Sequence, residues 1–364
     1  MRIRSGLSVL WRRPGESQIG IEATSAIVLS GLSAAEQQWL DLLERDRTED
    51  QLLAAARDLG IEGSRAAELL GELEARGLIA RQLPDPLLDR HGLSAEEDFW
   101  QRFSGRASSV IARRRARVVA VMGLGRIGAM LACGLAASGV GTILVADRRQ
   151  VGRGDVGVGA YAPHDVGRPR EDRVRALLRS QHEQVAISAP PRTRPDLVVM
   201  CIQDVAEPQR IRPLMREDVP HLVISQHELS ALVGPLVVPG MTPCVQCIEM
   251  RRAEADSCWP AIATQLLGAR ERRLPAAVAV TAAGFGLTEV LAFLDHREVT
   301  TAGRSLVVTG TSGGPRGVEW QFHPRCGCRG PDAPPQEAVA GASQEPAGGT
   351  STSSPRTTAS TAAP

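Results

Sequence analysis

The sequence predicts an α/β protein built on a doubly wound parallel sheet, with a small winged-helix-like α+β module before it and a disordered tail after it. Three observations lead to this fold class. An apolar run at 118–122 passes directly into a glycine-rich turn and a helical segment, which is typical of a parallel sheet. Two helix-start signals lie close together near the amino terminus. Residues 330–364 hold almost no large apolar side chains.

The composition limits the functions that the chain can have. Its 364 residues suffice for two or three domains. The 42 basic and 41 acidic side chains nearly cancel, so we expect no nucleic-acid partner. Every basic side chain is Arg because Lys is absent, which excludes P-loop, kinase and Schiff-base lysine chemistry. Aromatic residues make up only 3% of the chain, too few for a surface that stacks single-stranded bases.

The amino-terminal residues and the cysteines indicate a cytoplasmic protein. Residues 1–21 carry Arg, Glu and Gln where a secretory signal needs an apolar run, and no stretch approaches 18 uninterrupted apolar residues. We therefore expect no contact with a membrane. The seven cysteines are an odd number in a chain without export features, so metal ligation or catalysis is a better interpretation than disulfide bonds.

Residues 1–83 are predicted to form the first domain. The predicted elements are a strand-like stretch at 7–29, helices that begin at the capping boxes 33–36 and 48–51, a third helix at 64–76, and a strand-like segment at 78–83. Three helices followed by a strand are the order of a winged-helix module. DNA binding is the obvious function of such a module, but the third helix carries Glu68, Glu72 and Glu74 against Arg65 and Arg76. This net negative charge would repel phosphates, which favours a peptide- or protein-binding role or a structural cap.

Two further segments flank the main domain. Residues 84–117 are predicted to be a linker and lead-in helix, and their arginine run at 113–117 is expected to be a solvated face. Residues 330–364 are rich in Pro, Ala, Gly, Ser and Thr, so they cannot bury enough apolar surface to offset the entropy of ordering. We predict that this tail is disordered.

The main domain, 118–329, opens with a Rossmann-like nucleotide-binding pattern: an apolar strand, Gly-x-Gly-x-x-Gly, a helix, a second apolar strand and an acid. Gly123 permits the tight turn, Gly125 lets phosphate approach the backbone, and Gly128 lets the helix pack against the strand. Asp147 is placed to accept from ribose hydroxyls. The alternative is a doubly wound sheet with an empty crevice, because a fold does not fix a function.

The remaining pattern predicts a sheet that is parallel in one half and more antiparallel in the other. The further predicted strands are 196–202, 221–225 and 232–238, and the further predicted helices are 169–179 and 276–294.

Four cysteines form two closely spaced pairs, Cys244 with Cys247 and Cys326 with Cys328. Four thiolates in a tetrahedral arrangement are the usual ligands of structural zinc, so a zinc site is the preferred interpretation. The alternatives are unliganded cysteines in a reducing compartment and, less favoured, a redox pair. His323 is interpreted as a turn residue beside the metal.

The glycine turn together with the two cysteine pairs resembles the E1-like family, which includes ubiquitin-activating enzymes and the adenylyltransferases of thiamine and molybdopterin synthesis. The resemblance covers residues 113–328. It implies that ATP and magnesium occupy the crevice, that the carboxyl end of a small carrier protein or peptide is adenylated, and that the chain is a homodimer. Residues 7–83 also look like the modules that hold a precursor's leader peptide in ribosomal-peptide maturation, which adds a partner maturation enzyme to the expected contacts.

The sequence departs from the E1-like pattern after the ribose acid. Asp155 stands near the position of the family's Asn, and Val158 stands near its arginine finger. Arg149 or Arg153 would have to reach the phosphates instead. The family's lysine corresponds to Arg170, which preserves the charge but not the geometry.

A second departure lies at the end of the fourth strand. The position of the family's magnesium-binding aspartate holds Gln203, with Asp204 one residue later. Farther along, Cys258 stands about where some relatives carry a thioester-forming cysteine, and a passive loop cysteine is the favoured alternative.

The departures leave three functions open. The first is an E1-like adenylyltransferase, with Arg170, Asp204 and Cys258 as its candidate catalytic residues. The second is a catalytically degenerate scaffold that binds a precursor peptide and presents it to a partner enzyme. The third is an NAD-dependent oxidoreductase, which shares the glycine pattern but leaves the four cysteines unexplained.

Overall fold

The computed structural model describes a defined set of residues, namely 1–4, 6–22, 26–80, 86–269 and 271–332. Most of the predicted disordered tail lies outside these residues, as does the end of the predicted strand at 78–83. A mixed α/β fold with a small amino-terminal α+β module is observed, so the predicted fold class is confirmed for this part of the chain.

The amino-terminal module combines two small sheets with three helices. Its elements are β1 (Arg2–Ile3), β2 (Val9–Arg13), β3 (Glu16–Ile19), β4 (Ile27–Ser30), α1 (Ala34–Asp41), α2 (Glu49–Asp58), α3 (Gly63–Ala75) and β5 (Ile79–Ala80). Strands β2, β3 and β4 form an antiparallel sheet, and β1 pairs with β5. Both predicted capping boxes form, since Ser33 and Thr48 each accept from the amide three residues later. The fully buried Trp39 donates its indole N–H to the carbonyl of Leu52 at 2.9 Å, which ties α1 to α2.

Three helices lead from this module to the main sheet: α4 (Pro86–Arg90), α5 (Ser94–Ser104) and α6 (Ala107–Arg115). The expectation of a solvated arginine run fails at Arg114, whose side chain is 1% exposed. Its guanidinium donates to Asp295 at 2.7 and 3.1 Å and to Glu96 at 2.8 Å, and it lies over the ring of Trp100. A buried guanidinium is tolerated because its charge is paired by carboxylates.

The main domain is a seven-stranded sheet with helices on both faces. Its strands are β6 (Val118–Met122), β7 (Thr142–Ala146), β8 (Leu197–Gln203), β9 (His221–Gln226), β10 (Ser230–Val237), β11 (Arg304–Thr309) and β12 (Arg316–Glu319). Its helices are α7 (Arg126–Ala137), α8 (Arg170–Gln181), α9 (Pro208–Arg216), α10 (Val245–Ala255), α11 (Trp259–Leu266) and α12 (Ala276–Leu294).

The strand order is β12-β11-β10-β9-β8-β6-β7, and β7, β6, β8 and β9 run parallel while the other three pairings are antiparallel. The predicted division into a parallel and a more antiparallel half is therefore confirmed. Strands β11 and β12 were not predicted from the sequence. In the central strand β6, Val119 and Val121 are fully buried in the larger core, whereas Ala120 and Met122 pack on the core of the opposite face.

The chain crosses from one side of β6 to the other between β7 and β8, so a crevice opens at the carboxyl ends of β6 and β8. Helices α7 and α12 pack together on one face. Helix α12 is long and apolar enough to cross a membrane by composition, and it lies here against α7 and β10. The other face is covered by α9 and by the start of α10.

Candidate nucleotide site and cysteine cluster

The turn between β6 and α7 has the close approaches that its glycines predict. Gly123 adopts φ +87°, and a Cβ at this residue would lie 2.1 Å from the carbonyl oxygen of Cys201. A Cβ at Gly128 would lie 2.0 Å from the carbonyl oxygen of Gly123. Gly125 is the N-cap of α7, and no side chain caps this helix within the described chain. The first amides of α7 therefore face the crevice, where they favour an anion.

These distances predict different outcomes at the three glycines. Gly123→Ala and Gly128→Ala should each lower the free energy of unfolding by about 3 kcal/mol, because a backbone carbonyl blocks the new methyl group. Gly125→Ala should change it by less than about 1 kcal/mol, since its nearest neighbour is the side chain of Glu271 at 3.4 Å. Thermal unfolding measures all three. Gly71→Ala is the control, because this glycine lies inside α3 with no atom within 4 Å. A melting temperature for Gly123→Ala equal to that of the wild type would contradict the prediction.

Asp147 follows β7 and reaches back to the glycine turn. Its carboxylate accepts from the amide of Leu124 at 2.8 Å and from the backbone and guanidinium of Arg149 at 2.9 to 3.0 Å. Burial alone would raise the pKa of Asp147, but the hydrogen bonds from Arg149 outweigh burial and hold the pKa well below its ordinary value. Asp147 is therefore a carboxylate at neutral pH, and it is placed where the sequence predicts the ribose acceptor.

Arg170 lies at the centre of a group of carboxylates beside the turn. It begins α8, and its guanidinium is 1% exposed. It donates to Asp147 at 3.1 Å, to Asp155 at 2.6 and 3.1 Å, and to Glu271 at 2.7 Å. Burial would lower the pKa of Arg170, but the hydrogen bond to Glu271 and the neighbouring charges raise it above its ordinary value. The structure thus brings four of the predicted residues together, since Arg149 joins the same group through Asp147 and Glu271.

The end of β8 differs from what a magnesium site requires. Gln203 lines the main cleft of about 730 Å³ together with Asp147 and Arg149. Asp204 adopts a backbone φ of +52°. Its carboxylate accepts from the guanidinium of Arg272 at 3.1 Å and from the side-chain amide of Gln203 at 3.2 Å. Asp204 lines a separate small cavity on the far side of the strand end. The residues do not present a free carboxylate to the cleft at this position, so the implied magnesium ligand does not fit here.

Sequence reasoning missed a segment that crosses the crevice, residues 271–274, which we call the strap. The strap contributes Glu271, Arg272 and Arg273, which line a small cavity of about 150 Å³ together with Arg126 and Asp155. Its signal in the sequence is a run of charged residues just before the apolar helix α12. That run carries no spacing that distinguishes it from a surface loop.

Two predicted positions lie apart from the arginine group. Val158 is uncharged and 66% exposed, so this residue itself supplies no cation in place of the arginine finger. Cys258 is exposed at the start of α11. The other end of α11 lines the main cleft at Leu266, and eight helical residues span about 12 Å, so Cys258 lies outside the cleft.

The four predicted metal ligands converge at the other end of the domain. All four sulfurs lie within 4.8 Å of one another, and three of the Sγ–Sγ distances are 3.3, 3.6 and 3.9 Å. A tetrahedral zinc with bonds of about 2.3 Å places its sulfurs about 3.8 Å apart. A hydrogen bond from Cys244 lowers the pKa of the Cys247 thiol, and the thiolate is the form that binds metal. The residues therefore fit zinc, and four thiolates leave no coordination position open for catalysis.

The cysteine cluster joins two distant parts of the chain. Cys244 is the N-cap of α10, and Cys326 and Cys328 follow the last strand. His323 is buried and faces Glu254 at 2.9 Å, so it neighbours the cluster without being one of the converging ligands.

Solved structures with a similar fold cover most of this chain. The chain matches the microcin C7 biosynthetic enzyme MccB in complex with N-formylated MccA at 16% identity and a TM-score of 0.65, over 90% of this chain and 99% of that one. E. coli MccB with ATP matches at 16% identity and a TM-score of 0.63 over the same shares. PaaA matches at 15% identity and a TM-score of 0.59, over 86% of this chain and 98% of that one. No protein-family model and no curated protein sequence matches the chain. The chain therefore has the fold of the microcin C7 biosynthetic enzyme MccB, which confirms the E1-like resemblance at the level of the fold.

Proposed function

We propose that the chain is an E1-like adenylyltransferase that uses ATP to activate a carboxylate of a precursor peptide or small carrier protein in natural-product or cofactor biosynthesis. The observation that carries the proposal is the meeting of the glycine turn, Asp147, Arg149 and Arg170 at one crevice. The fold supports it, because structures with the same fold hold ATP and the peptide MccA.

The proposed reaction joins a peptide carboxylate oxygen to the α-phosphorus of ATP and releases pyrophosphate, so an acyl adenylate forms. Negative charge builds on the phosphate oxygens during this step, and the protein contributes by positioning and by neutralising that charge. Arg149 and Arg170 are two cations that stand at the turn. Asp147 would accept from the ribose. Zinc, when bound by the four cysteines, supplies a structural clamp.

The amino-terminal module is the proposed site for the peptide. An acidic α3 disfavours nucleic acid, and the three-stranded sheet β2-β3-β4 has two edges at which an extended peptide can add as a further strand. We propose that a leader segment binds this module while the reacting carboxylate enters the crevice. We also propose that the chain is a homodimer, which light scattering of the purified protein tests.

Pyrophosphate exchange is the direct test of the proposal. Labelled pyrophosphate should enter ATP only when the purified protein also receives a suitable acceptor peptide, and Arg170→Ala should abolish the exchange. Cys258→Ser should leave the exchange intact, because adenylation precedes any thioester. ATP binding that no acceptor peptide converts into exchange would contradict the adenylyltransferase.

One observation favours a second candidate, the catalytically degenerate scaffold. Asp204 is paired with Arg272, and the position of the magnesium aspartate holds Gln203. A scaffold predicts peptide binding that is unchanged by ATP and unchanged in Gly125→Asp. Fluorescence anisotropy with a labelled peptide measures this binding, and pyrophosphate exchange in the same variant distinguishes the two functions, since the adenylyltransferase predicts that turnover requires the intact turn.

A further inference from the structure

The strap is held across the crevice by bonds to several elements. The Arg272 amide donates to the side-chain oxygen of Gln203 at 3.0 Å, and its guanidinium donates to Asp204 and to Glu228. The carbonyl of Leu274 accepts from Arg126 at 3.4 Å. These contacts fix where the first residue of the strap, Glu271, places its carboxylate.

The carboxylate of Glu271 lies in the position that the glycine turn offers to an anion. Its Oε1 lies 3.4 Å from where a Cβ on Gly125 would stand. The same carboxylate accepts from Arg170 at 2.7 Å and from Arg149 at 3.2 Å. Glu271 also lines both the main cleft and the smaller cavity, so it stands between them.

A phosphate group at the turn needs the two guanidiniums that Glu271 already pairs with, together with the uncapped start of α7 beside them. The uncapped start of α7 and two guanidiniums are a typical oxyanion site, and a carboxylate is an oxyanion of similar donor preference. Two anions cannot share this position without strong repulsion. An incoming triphosphate must therefore displace Glu271 or bind elsewhere.

We propose that Glu271 is a built-in competitor that occupies the phosphate position at the glycine turn and is displaced by the polyphosphate of a nucleotide. This inference rests on the proposed function for the identity of the nucleotide, although the competition itself concerns only the anion. The carboxylate keeps Arg149 and Arg170 in place before binding. The 35% exposure of the Glu271 side chain means that its ion pairs are screened by water, so a multiply charged ligand can replace them.

Isothermal titration with two probes, ATP and inorganic triphosphate, tests the proposal on the full chain. Removing the competing charge in Glu271→Gln should tighten the binding of both probes by about tenfold. The control is Glu319→Gln on β12, which removes the same charge from an exposed pair with Arg304 of β11 and should leave both affinities unchanged. Unchanged or weaker triphosphate binding in Glu271→Gln overturns the proposal. Tighter triphosphate binding without any ATP binding would instead uphold the competitor and reject the adenylyltransferase.

Limited trypsin digestion of the wild-type protein gives an independent measurement if Glu271→Gln does not fold. Displacement of the strap should release the half-buried Arg272 from Asp204 and Glu228, so cleavage after Arg272 should become faster when triphosphate is added. Slower or unchanged cleavage at saturating triphosphate overturns the proposal.

Discussion

Replacing Cys247 with serine is expected to remove zinc and to lower the melting temperature by at least about 10 °C. The residue is fully buried, and its sulfur lies 3.3 Å from that of Cys328. A structural zinc site needs all four thiolates, so the loss of one weakens metal binding. Because the free energy of zinc binding contributes to folding, the variant is also less stable. A decrease of about 3–5 kcal/mol in the free energy of unfolding produces a shift of this size in a domain of this length. Zinc analysis by mass spectrometry and thermal unfolding measure the two effects.

The exposed Cys258 offers a matched control for the same chemical change. Cys258→Ser should keep about one zinc per chain and the wild-type melting temperature. Treatment of the wild-type protein with a strong chelator should reproduce the behaviour of Cys247→Ser. Wild-type protein that contains no zinc after expression in zinc-supplemented medium would contradict the metal site.

The second large effect is expected at Arg170. Arg170→Ala should destabilise the protein by about 3–5 kcal/mol, because it leaves the buried carboxylates of Asp147 and Asp155 without their shared cation. It should also reduce pyrophosphate exchange by at least about 100-fold, the loss seen when one charge-stabilising donor is removed from an active site. Arg170→Lys should recover part of the stability but little of the exchange, since an ammonium cannot reach three carboxylates in the same plane. Thermal unfolding and the exchange assay measure these outcomes.

Arg175, on the same helix, provides the control for this experiment. It pairs with Glu171 one helical turn away and is about one-third exposed. Arg175→Ala should cost less than about 1 kcal/mol and leave the exchange rate unchanged. If Arg170→Ala and Arg175→Ala change the stability and the exchange rate equally, the special role of Arg170 is contradicted.

The sequence predicts those parts of the site in which a local pattern has a local cause. Glycine is required at 123 and 128 because a backbone carbonyl oxygen lies within 2.1 Å of where a Cβ would stand at either residue. The same constraint applies to any sequence that makes this turn. The zinc site of the four cysteines can also be predicted from the sequence, because few residue types bind zinc and the two cysteines of each pair are closely spaced. The capping boxes of α1 and α2 are visible for the same reason.

The strap and the pairing of Asp204 could not be predicted, because both depend on contacts between distant residues. Arg272 meets Asp204 across 68 positions of the chain, and Glu271 meets Arg170 across 101. The local sequence of a charged loop does not determine which distant residues its side chains will pair with. The catalytic role predicted for Asp204 stays a prediction, and the structure pairs its carboxylate with Arg272.

The pair of Arg114 and Asp295 decides how the chain can be divided for experiments. The arginine belongs to the lead-in helix α6, and the aspartate caps the end of α12 in the main domain. A fragment that starts at residue 118 would leave the Asp295 carboxylate, which is 2% exposed, without its buried guanidinium and with only the more exposed Arg297 at 3.3 Å. An expression boundary placed before α5 keeps this ion pair intact, so truncations meant to isolate the main domain should begin upstream of residue 94.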